Sequence, residues 1–400
     1  MALQSYLCPL DKIGCISEIK TKKGVFCFVF RSICTIFETA SRKYSRSRKL
    51  KILLVFSSLI RTFVTSKEII TDMKKTLTLV VWMLVASAAA FAQSKVYLTR
   101  DISPESLVKI YKAVGVPAKG RVAVKMSTGE GSNPNYLKPE LVKNLVFEVD
   151  GTIVECNTAY GNAPADKKDD RNTSENHWKV IERHGFTKYF PVDIMDEYDE
   201  MRIPVKDQTH IKYDIVGGHM AHYDFMIALN HFKGHPMGGY GGALKNLSIG
   251  CASQNGKAYI HSSGKMEKLD MSKLWTPEFI GNQDGFLESM AAAAQAVVNY
   301  FNKKQGIIYI SVMNNMSIDC DCVDHPEPVK LEDYGILAST DPVALDQACI
   351  DIINQQKVTA KNDPTDLLKR IDKQHGIHTI EHAANLGLGS RQYQLISIDK

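Results

Sequence analysis

Phe225-Met226-Ile227-Ala228-Leu229 and Ile307-Ile308-Tyr309-Ile310-Ser311-Val312 decide how this chain folds. Neither stretch alternates polar with apolar residues, so neither reads as a strand with one wet face. A continuous run of this length suits a strand covered on both sides, as in a parallel sheet between helices. Working outward, Val96–Leu98, Arg121–Met126, Thr152–Cys156 and Tyr393–Ile398 read as further strands. Helical patterns lie between them. Ser103 caps a helix that starts at Pro104 and runs to about Val114. Others cover Pro139–Phe147, His177–Arg183 with Gly185 as its stop, Ala243–Ile249, Phe286–Phe301, Asp341-Pro342 to about Asn354, and two near 364–373 and 379–386. Residues 160–176 are polar and read as a loop. This alternation specifies an α/β fold, a mainly parallel sheet sandwiched by helices, with both apolar runs at its centre.

The charge is unevenly placed. The 400 residues carry 49 Lys+Arg and 44 Asp+Glu, a net +5. Residues 1–72 hold 13 basic and 5 acidic residues, whereas from Gln93 onward 34 basic face 39 acidic. The basic excess therefore belongs to the N-terminal stretch, and nothing supports a nucleic-acid partner. Met73 opens a second beginning: Lys74-Lys75, the apolar run Leu77 to Ala90, then Ala90-Phe91-Ala92. That order is a signal peptide over 73–92, with Gln93 as the new N-terminus and a periplasmic or secreted product. The run is short of the roughly 20 residues of a membrane-crossing helix, so no stable membrane anchor is expected. Residues 1–72 read as a misassigned upstream extension without a packed core, and residues 93–400 as the functional domain.

Two segments carry chemistry. In Lys233-Gly234-His235-Pro236-Met237-Gly238-Gly239-Tyr240-Gly241-Gly242-Ala243-Leu244-Lys245-Asn246, four glycines fall within five residues between a buried strand and a helix. Such a turn lets backbone approach a ligand, and a helix start favours an anion. The expected anion site is Lys233, His235, Gly238, Gly239, Gly241, Gly242, Lys245 and Asn246. The second segment is Asp319-Cys320-Asp321-Cys322-Val323-Asp324-His325, just past a strand end. Two thiols two residues apart suit one soft metal ion and make a poorly shaped disulfide ring. Cys251, His261, Cys320 and Cys322 form the expected set of ligands for zinc or iron, with His235 as a further nitrogen candidate. The competing reading pairs Cys251 with Cys320 or Cys322 in a structural disulfide. Cys349 falls on the apolar side of its helix and reads as core. Cys156 ends a strand. His378 and His382 sit one helical turn apart, a spacing common on protein surfaces.

These segments resemble the domain of unknown function family 362, often labelled an iron–sulfur-centre protein. The likeness rests on Lys233–Ser253, His261-Ser262-Ser263, Cys320-Asp321-Cys322, Tyr334–Cys349 and Leu386-Gly387-Leu388-Gly389-Ser390, and covers about residues 95 to 400. Relatives that carry a ferredoxin insert place repeated Cys-x-x-Cys spacings after the His-Ser-Ser segment. Here residues 264–319 contain no cysteine. A ferredoxin-type 4Fe-4S cluster, which needs four thiolates, is therefore not expected. The resemblance implies a scaffold more than a reaction. The expectation is an exported protein with a metal or redox site of Cys and His beside a turn that holds a small anionic ligand. The alternative is a non-catalytic small-ligand-binding protein with a disulfide in place of the metal.

Overall fold

The computed structural model of the protein describes residues 93–159, 171–274, 276–280 and 282–399. The expectations for residues 1–92 lie outside them. An eight-stranded sheet forms the centre, from β1 (Ser94–Thr99), β2 (Val122–Lys125), β3 (Gly151–Glu155), β4 (Val192–Ile194), β7 (Phe225–His231), β10 (Gly306–Met313), β11 (Gly335–Ser339) and β12 (Tyr393–Ser397). Its spatial order is β12-β1-β11-β10-β7-β2-β3-β4. Every neighbouring pair is parallel except the two made by β11, which runs against β1 and β10. The sheet is mainly parallel, as expected. The two apolar runs are its central neighbours, with Ile307 opposite Met226 and Ile308 opposite Ile227. Two small pairs stand apart from it: β5 (Glu200–Pro204) with β6 (Tyr213–Gly217), and β8 (Lys233–His235) with β9 (Gly239–Gly241).

Both faces of β7 are dry, which explains its unbroken apolar run. Phe225, Ile227 and Leu229 belong to a core shared with residues of α1 (Pro104–Val114), α2 (Pro139–Glu148) and α3 (Ser174–Arg183). Met226 and Ala228 face the opposite core, built with α4 (Ala243–Cys251), α5 (Gln254–His261), α7 (Gln283–Asn302), α8 (Pro342–Gln355), α9 (Thr365–Lys373) and α10 (Ile377–Asn385). Between α5 and α7 lies the short α6 (Pro277–Ile280). Each large apolar side chain so covered contributes roughly 2 kcal/mol. Helix starts obey the local signals. Ser103 accepts from the Ser106 N–H at 3.1 Å, and Asp341 accepts from Val343 and Ala344. Cys349 is in the core, on α8.

The structure departs from the sequence reading at several elements. Helix α3 begins three residues early, because the Thr173 side chain caps it by accepting from Asn176. Strand β11 and helix α5 were not anticipated, nor was the β5–β6 hairpin. The Gly-rich stretch is not one open turn but the β8–β9 ribbon, with Gly239 at φ +79°. The direction in which strands are laid down also reverses beside β2. The chain adds β3 and β4 on one side of it, then returns to place β7 and β10 on the other. In open α/β sheets a crevice forms at such a reversal, beyond the carboxyl ends of the strands.

Candidate functional site

A cavity of about 90 Å³ opens at that reversal, with Lys125, Glu155, Asn230 and His231 supplied by the ends of β2, β3 and β7. The thiol segment reaches it because β8 and the chain at 317–318 touch backbone to backbone. Gly234 donates to the Ser317 carbonyl at 2.8 Å, and a Cβ at Gly234 would meet the Ile318 oxygen at 2.0 Å. Asp321, between the two cysteines, is then clamped. It receives His231 Nδ1 at 2.8 Å and Lys233 Nζ at 2.7 Å. These two partners hold its carboxyl far below the usual range although burial opposes it. From the segment after β2, the Glu130 N–H donates to the Asp321 carbonyl, and Asn133 donates to the carbonyls of Cys320 and Val323.

Cys320 and Cys322 are thereby presented to His235. One donor atom from each of these three residues lies within 4.8 Å of the others, the one such Cys/His/carboxylate group among the described residues. The Cys322 Sγ is 3.7 Å from His235 Nε2. Cys320 Sγ accepts the Cys322 N–H at 3.2 Å and faces Lys245 Nζ at 4.0 Å. Burial pushes the Cys320 thiol up, but Cys322, Lys245 and His235 outweigh it and hold the thiol well below its ordinary range. Its partner Cys322 is raised, first by the hydrogen bond to Cys320 and then by burial. Of the two sulfurs, Cys320 is therefore the one that gives up its proton first. His235 is depressed to about 4, by burial first and Lys245 second, so its ring is neutral. Its Nδ1 accepts the Gly238 N–H at 2.8 Å and the Met237 N–H at 3.2 Å. The ring proton then sits on Nε2, aimed at the thiols.

Behind the thiols lies a buried ionic network that the sequence reading missed. Lys125 Nζ is 2.8 Å from Glu155, and Arg171 bridges Glu155 at 2.7 Å and Glu130 at 3.1 Å. Burial works against the Glu155 carboxylate, yet Lys125 and Arg171 bring it down to about 2. The signal was present, since Lys125 and Glu155 are charges at the ends of otherwise apolar strands. Arg171 gave none, because it lies within the polar stretch read as a loop.

The expected anion site is placed differently from its outline. The α4 start does hold an anion, but an internal one: Asp346 of α8 accepts the Ala243 N–H at 2.7 Å, the Leu244 N–H at 3.0 Å and the Tyr240 hydroxyl at 3.1 Å. Gly242 makes room for that carboxylate, as a Cβ there would stand 2.5 Å from its Oδ1. Gly239 packs against the Gly376 Cα, where a Cβ would be 2.9 Å away. Lys233 is committed to Asp321, and the Asn246 amide to the Lys125 carbonyl and Asn230. Gly241 and Lys245 line the cavity, while Gly238 is not among its lining residues.

The four expected metal ligands divide. Cys320 and Cys322 converge, with His235 as their third neighbour. The Cys251 thiol instead donates to the Asn246 carbonyl at 3.7 Å, and burial pushes it up to about 12. His261 lines the cavity, stacked on Phe286 with ring centres 4.4 Å apart, but it is not in the three-residue group. Cys156, Cys251, Cys320, Cys322 and Cys349 are all free thiols, so the alternative disulfide is not formed. His378 and His382 pair with Glu288 and Asp207, away from this cavity.

The fold and site define an α/β protein with a Cys/His group, able to hold a metal ion, at the carboxyl ends of a mainly parallel sheet. The chain belongs to the family described as Domain of unknown function (DUF362), whose profile matches residues 122–351. Among curated proteins none matches it. Several solved structures are similar at low level, among them these two. One is the lactate racemase apoprotein from Thermoanaerobacterium thermosaccharolyticum, at 13% identity, TM-score 0.35, covering 66% of this chain and 57% of that one. The other is a Thermotoga maritima protein at 12% identity, TM-score 0.34, covering 70% and 58%. This chain thus spans less than two thirds of the length of either.

Proposed function

We propose that the protein is exported and works through a thiolate centre, Cys320 and Cys322 with His235, that takes a soft metal ion such as zinc or iron beside a cavity admitting a small anion. The observation that carries this reading is the close approach of the three donor groups, His235 and Cys320 buried and Cys322 half-buried. Three protein donors leave a fourth position of a tetrahedral shell open, as in sites that do chemistry rather than staple a fold. A bound ion would supply Lewis acidity there, and Lys245 and the other cavity cations would hold a negatively charged partner. Two thiols in the group are too few for a four-thiolate cluster. Export rests on the Met73–Ala92 pattern, and N-terminal sequencing of the natural protein tests it.

Elemental analysis of protein purified without chelator, with thiol titration before and after reduction, tests the metal. One bound ion, lost in Cys320→Ser/Cys322→Ser, is the expected result. Unchanged metal content in that double variant rejects the reading.

A second reading is favoured by the His235 tautomer. A ligating imidazole ordinarily donates its other N–H outward, whereas here Nδ1 accepts the Gly238 N–H and Nε2 keeps the proton. The ring so held suits a hydrogen bond to a metal-free thiolate that acts as nucleophile or redox group. Metal-free preparations whose thiol reactivity is unchanged by chelator would favour this second reading.

A further inference from the structure

We propose that Lys245, Lys257 and His261 form the anion-binding subsite of the cavity, and that its ligand is a small oxyanion of the carboxylate or phosphate class. This deepens the anion part of the functional reading and does not depend on the metal.

Five cationic side chains line the cavity: Lys125, Arg171, Lys233, Lys245 and Lys257. Three are already paired, Lys125 and Arg171 with Glu155 and Glu130, and Lys233 with Asp321. Lys245 and Lys257 make no ion pair with a carboxylate among the described residues. The polar contact of Lys245 is the Cys320 sulfur, at the long distance of 4.0 Å. Lys257, 7% exposed, donates to the Ala252 carbonyl at 2.5 Å. Asp196 is nearby, but its oxygens are taken by the N–H groups of Asn157 and Gln254 at 2.8 and 3.2 Å. Neither ammonium group has a carboxylate at ion-pair distance, although the Cys320 sulfur and Asp196 lie within electrostatic reach of Lys245 and Lys257 respectively, and a ligand anion would add a close counter-charge.

His261 supplies the independent observation. It is 4% exposed and lines the cavity, and its Nδ1 has no hydrogen-bond partner. Buried ring nitrogens are rarely left so. Stacking on Phe286, at 16° between planes, fixes the ring. Lys245 and Lys257 both depress its protonation, after burial and His235, which places the ring within electrostatic reach of both. Burial likewise depresses Lys257. An oxyanion between the three groups would give the His261 Nδ1 a partner and the two ammonium groups a close negative charge. The enclosed part of the cavity, about 90 Å³, is the size of a small acid or a single phosphate group rather than of a drug-sized ligand.

The test is calorimetric titration of the purified protein with inorganic phosphate, sulfate, malonate and acetate, against chloride at matched ionic strength. At least one oxyanion should bind about tenfold or more tighter than chloride. Lys245→Met, Lys257→Met and His261→Phe should each weaken it by about tenfold, and Lys245→Arg should retain it. Phosphate or sulfate above malonate assigns a tetrahedral ligand, and the reverse assigns a carboxylate; both support the subsite. Melting curves accompany every variant. If Lys257→Met fails to fold, Lys245→Met and His261→Phe carry the test. No oxyanion above chloride, or undiminished binding in Lys245→Met and His261→Phe, overturns the proposal. Metal content measured in the same samples reports separately on the thiolate centre.

Discussion

Asp214 lies on β6 with no exposure, and neither of its oxygens reaches a partner at full hydrogen-bond geometry. Burial raises its carboxyl to about 7, against weaker pulls from the Ile215 N–H and Lys257. In the unfolded chain the same group titrates near 3.8. The folded value is the higher one, so the folded protein holds the proton longer. Its contribution is fully present below about pH 4 and is lost as pH rises through 7. A difference of about three pKa units corresponds to roughly 4 kcal/mol. Asp214→Asn keeps the shape and cannot ionise. At pH 8 the variant should be more stable than the wild type by up to about 4 kcal/mol, and near pH 4 the two should be nearly equal. Urea unfolding at several pH values between 4 and 8 measures this directly. A stability difference that is the same at pH 4 and pH 8 would refute the claim that Asp214 is desolvated. The site has a stake in the result. The next residue, Ile215, accepts the Ser253 N–H, and so β6 anchors the α4–α5 junction behind Lys257 and His261.

Glu155→Gln removes the charge that Lys125 and Arg171 share in a buried site, and should cost about 3–5 kcal/mol in urea unfolding. The folded Glu155 is depressed to about 2 from 4.5, so its contribution is present above pH 4.5 and is lost as pH falls toward 2; acid titration of the wild type should show the loss and the variant should not. Gly242→Ala should destabilise by about 2 kcal/mol, because the added methyl meets Asp346. Iodoacetamide at neutral pH should modify the Cys320/Cys322 pair well before Cys156, Cys251 and Cys349, whose thiols burial pushes up; peptide mapping reads the order.

The sequence by itself determined the architecture and most element positions, because those depend on local signals. Phe225–Leu229 and Ile307–Val312 are apolar on both faces, and only a doubly covered strand tolerates that. Ser103-Pro104 and Asp341-Pro342 fixed two helix starts through caps that act within three residues. The chemistry-bearing segments were also visible, since glycines crowded beside His and Lys, and two cysteines two apart, stand out in any chain. What the tertiary structure decided was which of those groups meet. Gly234 looked like part of a ligand loop, but it lets the Ser317–Ile318 backbone dock on β8, and so brings Cys320 and Cys322 to His235. Cys251 was drawn away by the Asn246 carbonyl within its own helix. The α4 start was claimed by Asp346, about a hundred residues further along the chain. Arg171 and Lys257 enter the cavity through contacts with no trace in the local pattern. Propensity and periodicity act over a few residues, whereas charge pairing and close backbone approach join residues far apart in the chain, and only the folded path sets those partners.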